Sequence, residues 1–145
     1  MDIRLRPSVP DDIEWLVELR AEVLRTDLER LGRYDEHRVR ARMRAGFRPE
    51  FTRVIVVDGA DAGSLTVRPD GASRWLEHFY LASALQGRGV GGLVLSRVLA
   101  EPWDGPTRLN VLQGSPARRL YERAGFELDS EDEIDVYMVQ RPPRA

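Results

Sequence analysis

Gln86-Gly87-Arg88-Gly89-Val90-Gly91-Gly92 lies between two apolar runs, Trp75 to Leu81 and Val90 to Leu99. The first reads as a strand and the second as a buried helix. A glycine-rich loop between a strand and a helix lets backbone N–H groups converge on an anion, and the helix dipole adds positive potential behind them. Gly87, Gly89 and Gly92 also satisfy G-x-G-x-x-G. The dinucleotide-binding reading of that pattern belongs to the first βαβ unit of a longer fold, with an acidic residue about 20 positions on. Here Leu112 stands near that place and hairpin-linked strands precede the loop, so the context is wrong for a Rossmann site.

Upstream, Ile3 and Leu5 alternate with Asp2, Arg4 and Arg6, a short first strand stopped by Pro7. Ser8 is a candidate N-cap, with Asp11 and Asp12 in the first turn of a helix carrying Ile13, Leu16, Val17, Val23, Leu24, Leu28 and Leu31 at helical spacing up to Gly32. Val39, Met43 and Phe47 predict a second helix from about Asp35 to Ala45. Val54 to Val57 ends at Asp58-Gly59, a hairpin signal, and Leu65 and Val67 belong to the next strand, closed by Pro69-Asp70-Gly71. Downstream come a strand at Leu109 to Leu112, a short helix at Pro116 to Ala124 ended by Gly125, and closing strands at Phe126 to Leu128 and Ile134 to Val139. The order is β-α-α-β-β-β-α-β-α-β-β. With no repeat, linker or break in composition, residues 1–145 read as one α/β layered domain with a mixed sheet.

The chain has 145 residues, with no cysteine and no lysine: all 22 basic side chains are arginine, against 24 acidic ones, for a net charge of −2. The absence of cysteine removes disulfides, Cys/His zinc sites and thiolate nucleophiles. The absence of lysine removes Schiff-base chemistry and the Walker A loop. No global charge excess points to nucleic acid, and no stretch approaches the roughly 20 apolar residues of a membrane span. The expectation is a cytoplasmic protein, and the arginine bias is read as genomic.

A second constellation follows the loop: Ser115-Pro116-Ala117-Arg118-Arg119-Leu120-Tyr121-Glu122-Arg123-Ala124-Gly125-Phe126. On a helix Ala117, Leu120 and Tyr121 share one face, and by itself this is an amphipathic helix with Tyr121 as a core aromatic. Gln86-x-x-Gly89-x-Gly91 opening a helix, followed after a strand by A-x-x-L-Y-E-R-x-G-F, resembles the GNAT superfamily of acyl-CoA-dependent N-acetyltransferases. The resemblance extends over the element order from Ile3 to Val139. It implies a three-layer fold: a central mixed, mostly antiparallel sheet, splayed between the fourth and fifth strands, with helices on both faces.

The resemblance further implies that acetyl-CoA is the cosubstrate, with no metal, and that an acetyl group passes to a primary amine by direct attack in a ternary complex. The amides of Gln86, Gly87, Arg88, Gly89, Val90, Gly91 and Gly92 would hold the diphosphate, and the strand edge at Phe79, Tyr80 and Leu81 would pair with the pantetheine arm. Tyr121 matches the tyrosine that protonates the leaving thiolate. Where relatives often carry Asn before this helix, Ser115 or Gly114 stands, so that contact passes to Ser115 or is lost. Alternation places Trp75, Glu77, Phe79 and Leu81 on one face of their strand, and Leu76, His78, Tyr80 and Ala82 on the other. Several relatives place a catalytic Glu on this strand. Glu77 is accordingly the candidate base, with an arginine pair as its bland alternative and His78 as its rival.

Tyr34 and Asn110 are the candidates for the acceptor side. Residues 33–53 hold seven arginines against three acids, whereas residues 127–135 hold six acids and no base. The first run is a solvated helix face, an attractor for an acidic acceptor, or half of a homodimer interface. Three function classes remain open. They are a transferase acting on a small-molecule or peptide amine, a catalytically weak or inactive acyl-CoA-binding module of the same fold, and RNA binding through residues 38–53.

Overall fold

A computed structural model describes residues 1–142. Its elements are β1 (Ile3–Pro7), α1 (Ile13–Arg30), α2 (Glu36–Gly46), β2 (Thr52–Val57), β3 (Ala60–Asp70), β4 (Ser73–Leu81), α3 (Val90–Leu99), β5 (Thr107–Leu112), α4 (Ala117–Arg123), β6 (Glu127–Glu131) and β7 (Asp135–Gln140). Three 3-10 turns complete the set, at Pro10–Asp12, Pro49–Phe51 and Ser83–Leu85. The element order is the expected one, with small shifts at the ends: β6 starts after Phe126 and runs on to Glu131, and β3 reaches Asp70.

The seven strands form one sheet in the order β1-β2-β3-β4-β5-β7-β6. Each neighbouring pair is antiparallel except β4 and β5, which run parallel. Their pairing covers only Arg74↔Thr107 and Trp75↔Arg108. From Leu76 and Leu109 onward the two strands diverge. The Asp58-Gly59 turn joins β2 to β3 with both residues at positive φ, which suits the twist of a two-residue hairpin.

Two apolar layers hold the sheet. On one side Val90, Val94, Leu95 and Val98 of α3 and Tyr121 of α4 pack with Ile55, Leu65, Leu76, Leu81, Leu109 and Met138. On the other, Leu16, Val17 and Leu19 of α1 and Met43 of α2 pack against Tyr80. Burying each large aliphatic side chain contributes about 1.5–3 kcal/mol. Val39 and Met43 are the inward residues of α2, as their spacing requires.

The start of α1 corrects one expectation. Ser8 does not cap it; its Oγ donates to the Pro49 carbonyl (3.0 Å). A 3-10 turn leads in, and the Asp12 carboxylate accepts from the Val9 N–H (2.9 Å), from Trp15 Nε1 (2.9 Å) and from the Arg6 guanidinium (2.9 Å and 3.1 Å). Arg6 also binds Asp61, so one guanidinium ties β1 to α1 and β3.

The Arg6 hydrogen bonds hold the Asp12 carboxyl down at about 2, further helped by Trp15 and Val9. The folded state therefore binds fewer protons here than the unfolded chain. This stabilisation is complete above about pH 4 and disappears as the pH falls toward 2. Asp12→Asn should lower stability by about 2 kcal/mol at pH 7 and flatten the acid limb of a denaturation-midpoint profile. A parallel acid limb in the variant would contradict the assignment.

Candidate active site

The divergence of β4 from β5 opens a cleft of about 1710 Å³ between the two halves of the sheet. Its lining includes Leu76 to Leu81 of β4, Asn110 to Leu112 of β5, the glycine loop, Ser115, Tyr121, and the facing sides of α1 and α2. Parallel strands that separate leave the N–H and C=O groups of their inner edges without a ladder partner, and buried backbone groups of that kind call for another one.

At one end lies the loop. Gly87 and Gly89 have φ of 75° and 84°, a left-handed conformation that side chains with a Cβ adopt at a cost. The first backbone bond into α3 runs from the Leu93 N–H to the Gly89 carbonyl (3.1 Å). Among the described residues, the N–H groups from Gly87 to Gly92 donate to no backbone carbonyl. Six adjacent free donors at a helix start make an anion cradle. Gly91 and Gly92 are helical, and a Cβ on either would touch Leu120, so they also let α3 lie close to α4. Val90 contributes its N–H alone, because its side chain is in the core. Arg88 is exposed beside the cleft and does not line it. Gln86 folds back, its Nε2 donating to the Leu81 carbonyl (2.9 Å), so the amide side chain anchors the loop to the end of β4.

Tyr121 stands in the wall opposite β4. Its ring packs at 6.4 Å from Phe79 and 5.9 Å from Phe126, both centroid to centroid. Burial, with Tyr80 nearby, pushes the phenol above its ordinary range, so it keeps its proton at neutral pH. Among the described residues its hydroxyl has no hydrogen-bond partner, and the residue lines the cleft. Ser115 precedes α4, and its Oγ accepts from the Ala117 N–H (3.2 Å).

On β4 the structure overturns the simple alternation. Ser64 pairs with Tyr80 and Thr66 with Glu77, so Leu65 faces both His78 and Phe79. That extra residue is a β-bulge, and His78 sits in it at φ 47°. Past the bulge the faces exchange. Leu76, Phe79 and Leu81 join the α3–α4 layer together, while Tyr80 joins the α1–α2 layer. Glu77 thus does not share a face with Phe79 and Leu81, because one inserted residue reverses the period.

The bulge is held from several sides. Ser64 Oγ donates to the His78 carbonyl (2.7 Å). His78 Nδ1 and Tyr80 Oη are 3.2 Å apart, and Arg20 Nε donates to the same Tyr80 oxygen (3.0 Å). Arg20 also donates to the Val39 carbonyl, which links α1, α2 and β4. The Nε2 edge of His78 abuts Gly46, where an added Cβ would lie 3.0 Å away. His78 is therefore bonded at Nδ1 and half-buried, and it lines the cleft with its neighbours on β4. Glu77 lines the cleft and accepts from Arg68 Nε (2.6 Å), the arginine pairing that the sequence left open.

The two acceptor-side candidates separate. Asn110 lines the cleft, exposed, and donates from Nδ2 to Asp135 (3.0 Å). Tyr34 lies outside the lining; its ring sits under the Arg25 guanidinium, 4.9 Å from the centroid. Arg20 and Arg68 were not foreseen. Arg20 carried a legible signal, standing four residues after Leu16 and three after Val17 on the apolar stripe of α1. Arg68 carried none, since its role depends on the register of β3 against β4.

Burial, then the Arg20 charge, lowers the His78 pKa, against a smaller opposing effect of Glu77. The imidazole should titrate below about 6.5 in an NMR pH series, and stability should fall as the pH drops through that region. A midpoint above 6.5 would rule out the packed, neutral His78 described here.

Comparisons with known proteins agree with this geometry. The model of the acetyltransferase (GNAT) domain matches residues 50–128. No curated protein matches the sequence. Among solved structures, the fold is similar to that of the PaiA N-acetyltransferase of Thermoplasma acidophilum in complex with coenzyme A. That likeness has a TM-score of 0.77 at 19% identity, over 98% of this chain and 100% of the other. It is similar also to the ribosomal-protein-S18-alanine N-acetyltransferase of Escherichia coli, with TM-score 0.75 and 14% identity over 99% and 96% of the two chains. A third likeness is to the N-acetylglutamate synthase of Neisseria gonorrhoeae complexed with coenzyme A and N-acetyl-glutamate. Its TM-score is 0.69 at 14% identity, over 99% of this chain and 36% of that one. With the family model covering more than half of its length, and the parted β4 and β5 beside a free glycine cradle, the chain belongs to the GNAT family of N-acetyltransferases.

Proposed function

We propose that residues 1–145 form a single catalytic domain that transfers the acetyl group of acetyl-CoA to a primary amine by direct attack in a ternary complex. The observation that carries this reading is the meeting, in one cleft, of the free N–H cradle from Gly87 to Gly92, the unpaired edges of β4 and β5, and the unpartnered hydroxyl of Tyr121. The cradle suits a diphosphate, because backbone donors and a helix start need no lysine. The edge at Phe79, Tyr80 and Leu81 suits the amides of a pantetheine arm, which would lie there as an added strand. The Leu81 carbonyl at the end of that edge already accepts from Gln86 Nε2. Ser115 contacts the arm from the start of α4.

The amine nitrogen attacks the thioester carbonyl carbon, the C–S bond breaks, the thiolate takes a proton from Tyr121, and the proton that the nitrogen sheds in becoming the amide returns through water to the Tyr121 phenolate. A phenol kept protonated by burial is suited to that step. An acceptor ammonium has a pKa of about 10 and must first lose a proton, since only the neutral amine attacks. Glu77, lining the cleft under the hold of Arg68, receives that proton through water. His78 also lines the cleft, but its Nδ1 is engaged with Tyr80 in support of the bulge.

Incubation with acetyl-CoA and a panel of amines, followed by thiol release, tests the reading; saturable coenzyme binding with no turnover of any amine would favour the inactive binding module. Tyr121→Phe should lower kcat by about 10²-fold or more with little change in coenzyme affinity. An unchanged rate under chemistry-limited conditions would return Tyr121 to a core aromatic. Gly89→Glu sets a carboxylate into the cradle and should abolish coenzyme binding by calorimetry, whereas unchanged affinity would refute the site.

A further inference from the structure

The sequence Arg38-Val39-Arg40-Ala41-Arg42-Met43-Arg44 places four arginines at alternate positions of α2. With Val39 and Met43 buried beneath, helical geometry puts Arg40 and Arg44 on one flank and Arg38 and Arg42 on the other. The two flanks have different fates. Arg40 binds both carboxylate oxygens of Glu18 (3.0 Å each), and Arg44 both of Glu14 (2.7 Å and 3.1 Å), so that flank is neutralised against α1. Arg38 and Arg42 line the cleft, and among the described residues neither has an ion-pair partner.

The carboxylates near that part of the cleft are already engaged. Glu22 accepts from Ser83, Asp27 pairs with Arg30, and Glu77 pairs with Arg68. Like charges four residues apart on a helix repel, and among the described residues neither guanidinium forms an ion pair that would offset the repulsion directly. Arg38 and Arg42 flank Val39, whose carbonyl is bound by Arg20; Arg20 in turn bonds Tyr80, the partner of His78 in the bulge. Through Val39, Arg20 and Tyr80 the unneutralised pair is linked to the β4 bulge, on the α1–α2 side of the cleft. Across the cleft, Glu133 carries a carboxylate with no partner among the described residues, while Asp132 and Asp135 are bonded locally.

Resting on the function proposed above, we infer that the acceptor is a small primary amine that also bears an anionic group, a carboxylate or a phosphate, and that Arg38 and Arg42 bind that group. Charge-assisted and bidentate bonds from guanidinium to an oxyanion are stronger than neutral ones. A wall of this sign also disfavours polycationic acceptors.

Steady-state kinetics with acetyl-CoA would compare 4-aminobutyrate, 2-aminoethyl phosphate, the neutral 4-aminobutanamide and the diamine 1,4-diaminobutane. The expected kcat/KM for one or both anionic amines exceeds that for the amide by about tenfold or more, with the diamine poorest. The two anions tell carboxylate from phosphate. The double variant Arg38→Gln/Arg42→Gln should remove the preference while leaving acetyl-CoA KM and amide turnover within about twofold; Arg44→Gln on the neutralised flank should keep it. Equal use of the amide, a preference for the diamine, or a preference that survives the double variant would overturn the inference and leave the transferase reading intact. If coenzyme binds and no amine reacts, the transferase reading fails on its own. Calorimetric binding of the same four amines to the coenzyme-loaded protein then decides the anion site.

Discussion

Two parallel strands that pair at only two positions and then separate are the constraint on which this molecule rests. A sheet that simply continued would satisfy its backbone internally and have no opening. By parting after Trp75 and Arg108, β4 and β5 leave edges that need a partner, and the cleft exists because protein does not supply one. The helices on each face keep the wedge open: α1 and α2 pack through Tyr80, and α3 and α4 pack through Leu76, Leu109 and Tyr121. Arg30 spans the divide from α1 to the Gln113 carbonyl beyond β5, tying the two halves together at that margin.

The second organising feature is the bulge at His78. A single extra residue turns the side-chain sequence of β4 over in mid-strand, giving Phe79 to one layer and Tyr80 to the other. That exchange links the two layers through adjacent residues of one strand. On one side Phe79 packs beside Tyr121; on the other Tyr80 accepts from Arg20 and meets His78. A group on α1 is thereby connected to the strand that borders the cleft. The cleft presents backbone N–H groups at its glycine loop and arginines elsewhere along its wall, in a chain without lysine or cysteine.

How far the sequence carried the reading can be judged from particular residues. The glycine loop, the Asp58-Gly59 hairpin and the Val39/Met43 stripe were legible because each depends on neighbours within a few residues, where backbone preference and periodicity act. The parallel pair was expected from family resemblance, but the point at which it parts was not, since that depends on how α1 and α3 wedge the sheet. Glu77 was chosen for its residue type on a strand, and the bulge then changed its companions. Ser8 misled for a related reason: a cap preference is local, but its hydroxyl found the Pro49 carbonyl forty-one residues away in the chain.

By itself, then, the sequence determined the element order, the glycine cradle, the inward stripes of the helices and the classes of chemistry excluded by its composition. These follow from short-range spacing and from residue identity. Only the tertiary structure decided which face Glu77, His78 and Tyr80 present, which arginines are neutralised, and which of them look into the cleft. Those outcomes turn on strand register and on contacts between residues far apart in the chain. Period and propensity cannot encode them, because a single inserted residue or one distant carboxylate reverses the result.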